Sequence, residues 1–325
     1  MTLGQAFVTR QTHNLDALRL GLAICVIVSH AWPLALGAGT MEPLQELTGR
    51  SLGGWAVGGF FFVSGLLITA SAQRGIGKAF WVARARRIFP GLGAALLVTL
   101  ALAVASGATP SIEQNVNWFL RAVTLVSIEH RLAGAFAANP VAEVVNGPLW
   151  SLFHEVVSYV TCAAFVMLGG ARQTWMVLAL ALGATVLAAV HHSLPGRLAT
   201  FAPLFAAFSW GMVAYIWRDW ISLCWSVSIG SAMLGVVLQW SFALGPVALG
   251  LVMLALMAPK VALSRDVSFG MYIYGWPVAQ SIVALQPGIG PIALAVLSVI
   301  GTYPVALLSW QLVERPSLTR RRAKV

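Results

Sequence analysis

The sequence predicts an all-α polytopic integral membrane protein of about ten transmembrane helices, and three observations carry that expectation. Hydrophobic residues make up 59% of the 325-residue chain and charged residues 9%, too little polar surface for a soluble protein of this length. Apolar runs long enough to cross a bilayer recur at roughly 15–37, 52–72, 86–106, 148–169, 174–191, 198–217, 220–240, 243–259, 267–286 and 291–313. Basic residues then fall on one side. With both termini cytoplasmic, the inner ends and loops hold Arg10, Arg74, Lys78, Arg84, Arg86, Arg87, Arg172, Arg218, Lys260, Arg265, Arg315, Arg320, Arg321, Arg322 and Lys324, against Arg50, Arg121, Arg131 and Arg197 outside. Topology therefore accounts for the net charge of +10, and no nucleic-acid partner is needed. The chain reads as one transmembrane domain, residues 1–325, with no fused soluble domain.

The first span carries two ionisable groups at membrane depth, Arg19 and His30. Such groups are costly there and usually functional. Eleven positions separate them, so they share one helix face and stand about 16 Å apart along it. Arg19 also interrupts the apolar core and no small-residue cleavage site follows, so this span is read as retained rather than as a signal peptide. The second span contains Gly53, Gly54, Gly58, Gly59 and Gly65, a small-residue surface suited to close helix packing.

The third span is entered through Arg84, Arg86 and Arg87, followed by Ile88, Phe89 and Pro90. Three guanidinium groups make an inner-face anchor and also a phosphate cradle, since they bind phosphate oxygens bidentately and stay charged. Residues 107–147 form the longest polar stretch, with Glu113, Glu129, His130, Arg131 and Glu143, and are placed on the outer face; within them Val116 to Ile128 reads as an interfacial or re-entrant helix. The fourth span opens with Leu149, Trp150, Ser151, Leu152, Phe153, His154 and Glu155 and continues to Tyr159. Glu155 and His30 each lie about seven residues below the outer end of their span, roughly 10 Å deep, which suits an acid and base pair.

The fifth to eighth spans are apolar without a chemical signature. Cys25, Cys162 and Cys224 fall in spans at no metal-ligand spacing and read as packing residues, so neither disulfide nor metal chemistry is expected. The ninth span carries Tyr272, Tyr274 and Trp276 ahead of Pro277, aromatic groups able to line a channel or an interfacial belt. Glu314, at the inner end of the tenth span, is expected to pair with a nearby arginine.

Six segments in order resemble the membrane-bound acyltransferase family 3, the O-acyltransferases of bacterial surface glycans. They are Asn14–Leu15–Asp16–Ala17–Leu18–Arg19 with His30; Phe60–Phe61–Phe62–Val63–Ser64–Gly65; Arg84–Ala85–Arg86–Arg87–Ile88–Phe89–Pro90; Leu149–Trp150–Ser151–Leu152 with Glu155; Ser268 to Pro277; and Val313–Glu314–Arg315–Pro316. The chain departs from many relatives at Gly275, where a His often stands, and at His154. The resemblance implies transfer of an acyl group, usually acetyl, from cytoplasmic acyl-CoA to a sugar hydroxyl. It places His30 as base or acyl carrier oriented by Glu155, and Arg19, Arg84, Arg86 and Arg87 on the CoA phosphates. Ser151, Tyr159, Tyr272, Tyr274 and Trp276 would meet substrate. The implied acceptor is an exported or lipid-linked saccharide, such as exopolysaccharide or O-antigen, at the bacterial inner membrane, with glycan-assembly proteins as further partners. A proton-coupled transporter or a sugar-lipid flippase is the alternative from another class.

Overall fold

The computed structural model describes residues 1–8, 13–109, 111–125, 130–169, 174–238, 240–261 and 263–319. Arg10, Glu129, Arg172, Arg320, Arg321, Arg322 and Lys324, together with Val126 to Ile128 of the expected interfacial helix, lie outside the described residues. Among those described, each of the ten expected spans is helical and there is no strand. The helices are α1 Leu3–Val8, α2 His13–Leu36, α3 Gln45–Thr48, α4 Leu52–Gln73, α5 Lys78–Ala105, α6 Ile112–Val123, α7 Trp150–Met167, α8 Thr174–Ala189, α9 Arg197–Ile216, α10 Trp225–Val237, α11 Trp240–Met257, α12 Ser268–Leu285, α13 Pro291–Ser309 and α14 Arg315–Thr319. Seven spans are long and apolar enough to cross a bilayer on composition alone. The others fall short for visible reasons: α8 and α10 are short, and α12 carries Ser268, Tyr272, Tyr274 and Gln280.

Three boundaries differ from the sequence reading. Helix α5 begins at Lys78, so Arg84, Arg86 and Arg87 already sit on it rather than ahead of it. Helix α10 begins only at Trp225; the preceding residues form turns tied to the N-terminus, with Leu3 N bonded to the Ile221 carbonyl at 2.9 Å. The last span continues from α13 through a π-helical turn, Trp310–Glu314, into α14.

The chain divides into two compact units, each assembled from non-contiguous segments. The first contains residues 1–22, 44–80 and 154–264. Its centre is the crossing of α4 and α9, where glycine is required: a Cβ on Gly65 would stand 1.9 Å from the Phe208 carbonyl oxygen, and one on Gly211 would stand 2.1 Å from that of Phe62. Backbones can meet this closely only where both helices lack side chains at the contact, as the glycine pattern of the second span anticipates. Phe62, Val63, Leu66, Ala214, Ala248 and Val252 fill the surrounding core. Asn14 fastens the start of α2 in this unit; its Nδ2 donates to the Ala255 and Ala258 carbonyls at 2.8 and 3.0 Å, and its Oδ1 accepts from Val261 N at 2.9 Å. One side chain thus satisfies carbonyls left without partners at the end of α11.

The second unit contains residues 23–43, 81–153 and 265–325. Helices α12 and α13 pack together as its centre, with Ala31, Leu34, Ala279, Val283 and Leu294 in one apolar cluster. The expected interfacial helix is α6, opened by a capping box in which Ser111 Oγ accepts from Gln114 N at 3.2 Å and Gln114 Oε1 accepts from Ser111 N at 2.8 Å.

Candidate active site

His30 sits on α2 one turn before Pro33. That proline lacks the N–H that would bond the Ser29 carbonyl, and the helix ends soon after, Gly37 N donating to the Pro33 carbonyl at 2.9 Å. Gly37 and Gly39 take φ of 103° and 89°, a conformation that costs glycine little, and the chain doubles back. The reversal returns Glu42 to α2: the Ser29 hydroxyl donates to its Oε2, and His30 Nδ1 lies 3.9 Å from the same oxygen. Trp276 packs edge-to-face with the imidazole, ring centroids 5.1 Å apart. Val26, Ile27, Tyr272 and Trp276 help enclose a narrow cavity beside His30 with room for roughly one water molecule.

The ninth span's motif is held by bonds that no sequence pattern announced. Pro277 removes the N–H that would pair with the Ile273 carbonyl four residues earlier. Asn146 Nδ2 takes over that carbonyl at 2.9 Å and also bonds Thr99 Oγ1 at 3.3 Å. Trp276 Nε1 donates to the Val144 carbonyl at 2.9 Å, Gln280 Nε2 donates to the Val141 and Val144 carbonyls at 2.7 and 2.9 Å, and Asn139 Nδ2 bonds Gln280 Oε1 at 2.7 Å. The wall beside His30 is therefore fixed in place. Gly275 has a local reason too, since a Cβ there would lie 2.6 Å from Ile27 Cγ1, leaving no space for a histidine in this packing.

Of the sequence-chosen residues, the second unit brings together His30, Trp276, Tyr272 and Ser151. Ser151 Oγ and the Tyr272 hydroxyl are 2.6 Å apart, one donating to the other, and both lie within hydrogen-bond distance of the Pro148 carbonyl oxygen, at 3.2 and 3.0 Å. Tyr274 turns the other way. Its hydroxyl donates to Ser309 Oγ at 3.2 Å, which donates to Glu314 Oε1 at 3.0 Å. Arg84, Arg86 and Arg87 are all half-buried on α5. Arg87 Nη2 meets Asp266 Oδ2 at 2.7 Å, and Asp266 Oδ1 also accepts from Ser268 Oγ at 2.6 Å, joining the arginine cluster to the start of α12. Gly91 lets the same stretch of α5 approach Phe269 and Glu314, so the third, fifth and sixth motifs converge at one place.

The first unit holds the other members. Ser64 Oγ donates to Glu155 Oε1 at 3.1 Å, and the Tyr159 hydroxyl donates to the same oxygen. Arg19 lies within electrostatic reach of Tyr159. Ser64 is thus a hydrogen-bond donor to a carboxylate. His154 is buried on a separate face of α7, its Nε2 3.1 Å from Thr200 Oγ1 and its ring stacked on Phe201. Sequence reasoning missed Glu42, Asn139, Asn146 and Gln280. A carboxylate twelve residues after His30, beyond two glycines able to reverse the chain, was the available signal for Glu42.

The fold, with seven described helices long and apolar enough to cross a bilayer, defines a multi-pass membrane protein. The model of the acyltransferase domain (acyltransferase 3) matches residues 12–311. Nodulation protein 10 of Rhizobium leguminosarum bv. viciae is 30% identical, over 96% of this chain and 95% of its own. The O-acetyl transferase of Shigella phage Sf6 is 28% identical, over 97% of this chain and 98% of its own. No solved structure matches the chain. The chain belongs to the acyltransferase 3 family and is a multi-pass membrane O-acyltransferase.

Proposed function

We propose that the protein transfers acetyl from acetyl-CoA, bound from the cytoplasm, to a hydroxyl of an exported or lipid-linked saccharide at the bacterial inner membrane, with both termini cytoplasmic. Exopolysaccharide and lipopolysaccharide O-antigen are the acceptors in view, and partners in glycan assembly would deliver them. The observation that carries this reading is His30 at membrane depth, between Glu42 and Trp276 and beside a narrow cavity. A full-length relative named as an O-acetyl transferase supports acetyl as the group moved.

In this reading Arg84, Arg86 and Arg87 hold the donor's phosphates. Their half-burial on one helical turn and Arg87's tie to Asp266 give a fixed, partly desolvated cationic surface, where guanidinium–phosphate bonds gain strength. Arg19 adds a fourth cation on α2, which runs unbroken from His13 to Leu36, so the rise of about 16 Å to His30 is comparable to a pantetheine arm. Glu42 faces Nδ1 of His30 and favours the tautomer with the proton there, leaving Nε2 to accept a proton. Nε2 takes the proton of the sugar hydroxyl as its oxygen attacks the thioester carbonyl. The tetrahedral intermediate collapses, the C–S bond breaks, and the imidazolium returns the proton to the departing CoA thiolate. Ser151 and Tyr272, already paired, are assigned to the acceptor, with Trp276 as an apolar wall. Tyr274 is kept as a support of the donor end through Ser309 and Glu314. Glu155, with Ser64 and Tyr159, is the second carboxylate assigned to proton handling.

The test is transfer of radiolabelled acetyl from acetyl-CoA into the polysaccharide fraction by membranes carrying wild type, His30→Ala or Arg19→Ala. Label with wild type, a loss of roughly a hundredfold or more with His30→Ala and a raised KM for acetyl-CoA with Arg19→Ala are expected. Normal transfer by His30→Ala would overturn the assignment. Solute uptake without labelling would favour a carrier.

A further inference from the structure

The stretch of chain that follows α5 forms a cleft that the reading above leaves unused. It has a volume of about 470 Å³ and lies between α6 and residues 131–134, with Gln114, Asn117, Trp118, Arg121 and Arg131 among its walls. The volume falls within the range of small-ligand sites. The lining combines amide groups, an indole and two guanidinium groups, which suits a hydroxyl-rich ligand bearing negative charge better than an apolar one. In the stretch 106–149 these two arginines are the only Lys or Arg residues, and both face this cleft.

The helix that builds the cleft has two opposed faces. Ile112, Val116 and Leu120 recur every four residues and are exposed, an apolar stripe with nothing but its surroundings to cover it. Gln114, Asn117, Trp118 and Arg121 project from roughly the opposite side at 100° per residue and line the cleft. In a membrane protein an exposed apolar stripe on an amphipathic helix seats at the bilayer interface, which turns the polar face toward the protein. The facing wall is fixed independently: Leu132 N bonds the Glu143 carbonyl at 2.9 Å, Phe136 N bonds Ser106 Oγ at 3.0 Å, and Arg131 pairs with the half-buried Glu143 at 3.4 Å. A saccharide held at the membrane surface would meet the cleft at that height.

We propose that this cleft is an acceptor-docking subsite for a saccharide carrying an acidic group, with Arg121 and Arg131 on its anionic oxygens and Asn117, Gln114 and Trp118 on the sugar. The proposal rests on the saccharide acceptor inferred above. Its test reads binding rather than turnover. Full-length protein in phosphatidylcholine nanodiscs is titrated calorimetrically with trigalacturonic acid and with the neutral maltotriose. The acidic trimer is expected to bind at least about tenfold more tightly, the preference to shrink as salt rises, and the Arg121→Gln/Arg131→Gln double variant to bring the two within about twofold. Glu143→Gln, which leaves Arg131 unopposed, should tighten binding of the acidic trimer. Equal binding of the two sugars, or a preference kept by a double variant with wild-type melting temperature, would overturn the proposal. So would arginine-dependent binding to phosphatidylglycerol vesicles with no sugar preference, which would make these residues lipid anchors. If the acidic trimer binds as expected while no acetyl moves from acetyl-CoA, the donor reading fails and the subsite stands.

Discussion

Where α4 crosses α9, the chain depends on missing side chains; where α12 meets residues 139–146, it depends on polar ones. Gly65 and Gly211 bring two backbones together with nothing between them, a contact that is non-directional and intolerant of added volume. Helix α12 is instead located by directional bonds from Asn146, Gln280 and Trp276 to backbone carbonyls. Apolar packing alone leaves a helix able to slide or rotate, whereas such bonds fix its register. The difference teaches where accuracy is needed: the helix whose Trp276 packs against the His30 imidazole is the one pinned by hydrogen bonds.

Three substitutions break or sharpen this contrast. Gly211→Leu should be the most damaging, because the atom it strikes is the Phe62 backbone carbonyl and cannot rotate away; a loss of about 3 kcal/mol or more is expected. Thermal unfolding of the purified protein in detergent measures it, and a wild-type melting temperature would show that the crossing is looser than described. Glu42→Gln should lower kcat roughly 10–100-fold while leaving KM for acetyl-CoA within about twofold, since it removes charge beside Nδ1 and keeps the acceptor for Ser29. Equal change in kcat and KM would point to a disturbed fold instead, and recovery in Glu42→Asp would support the charge. Asn146→Ala should cost about 1–2 kcal/mol by leaving the Ile273 carbonyl buried and unpaired beside Pro277. If that variant melts like wild type, water replaces the amide and the pinning is weaker than α12 requires.

Most of the fold was legible in the sequence because burial in lipid demands long apolar helices, and nothing in a soluble protein imitates that pattern. Among the described residues each of the ten runs contains a helix, and the boundaries that moved are those where polar residues continue a helix, as at Lys78, or where turns interrupt an apolar run, as before Trp225. Candidate residues such as His30 and Glu155 stood out in the sequence as ionisable groups within apolar runs. Their partners were not. Glu42 depends on two left-handed glycines that reverse the chain, and Asn146 reaches Ile273 across 127 positions of sequence. Such pairings follow from tertiary geometry, and no local periodicity encodes them. The small residue at position 275 looked like a missing functional group; in the structure it is the space that Ile27 fills.

The bolting of residues 139–146 to α12 has a consequence for how such a protein changes over generations. Residues 131–134 are tied to the bolted part through Glu143, whereas the cleft residues of α6 stand upstream of it, so exchanges on α6 need not disturb Trp276 or the imidazole it packs against. On the docking role proposed for the cleft, a lineage meeting a new acceptor would retune recognition by replacing a few residues of one short helix, keeping the chemistry it inherited.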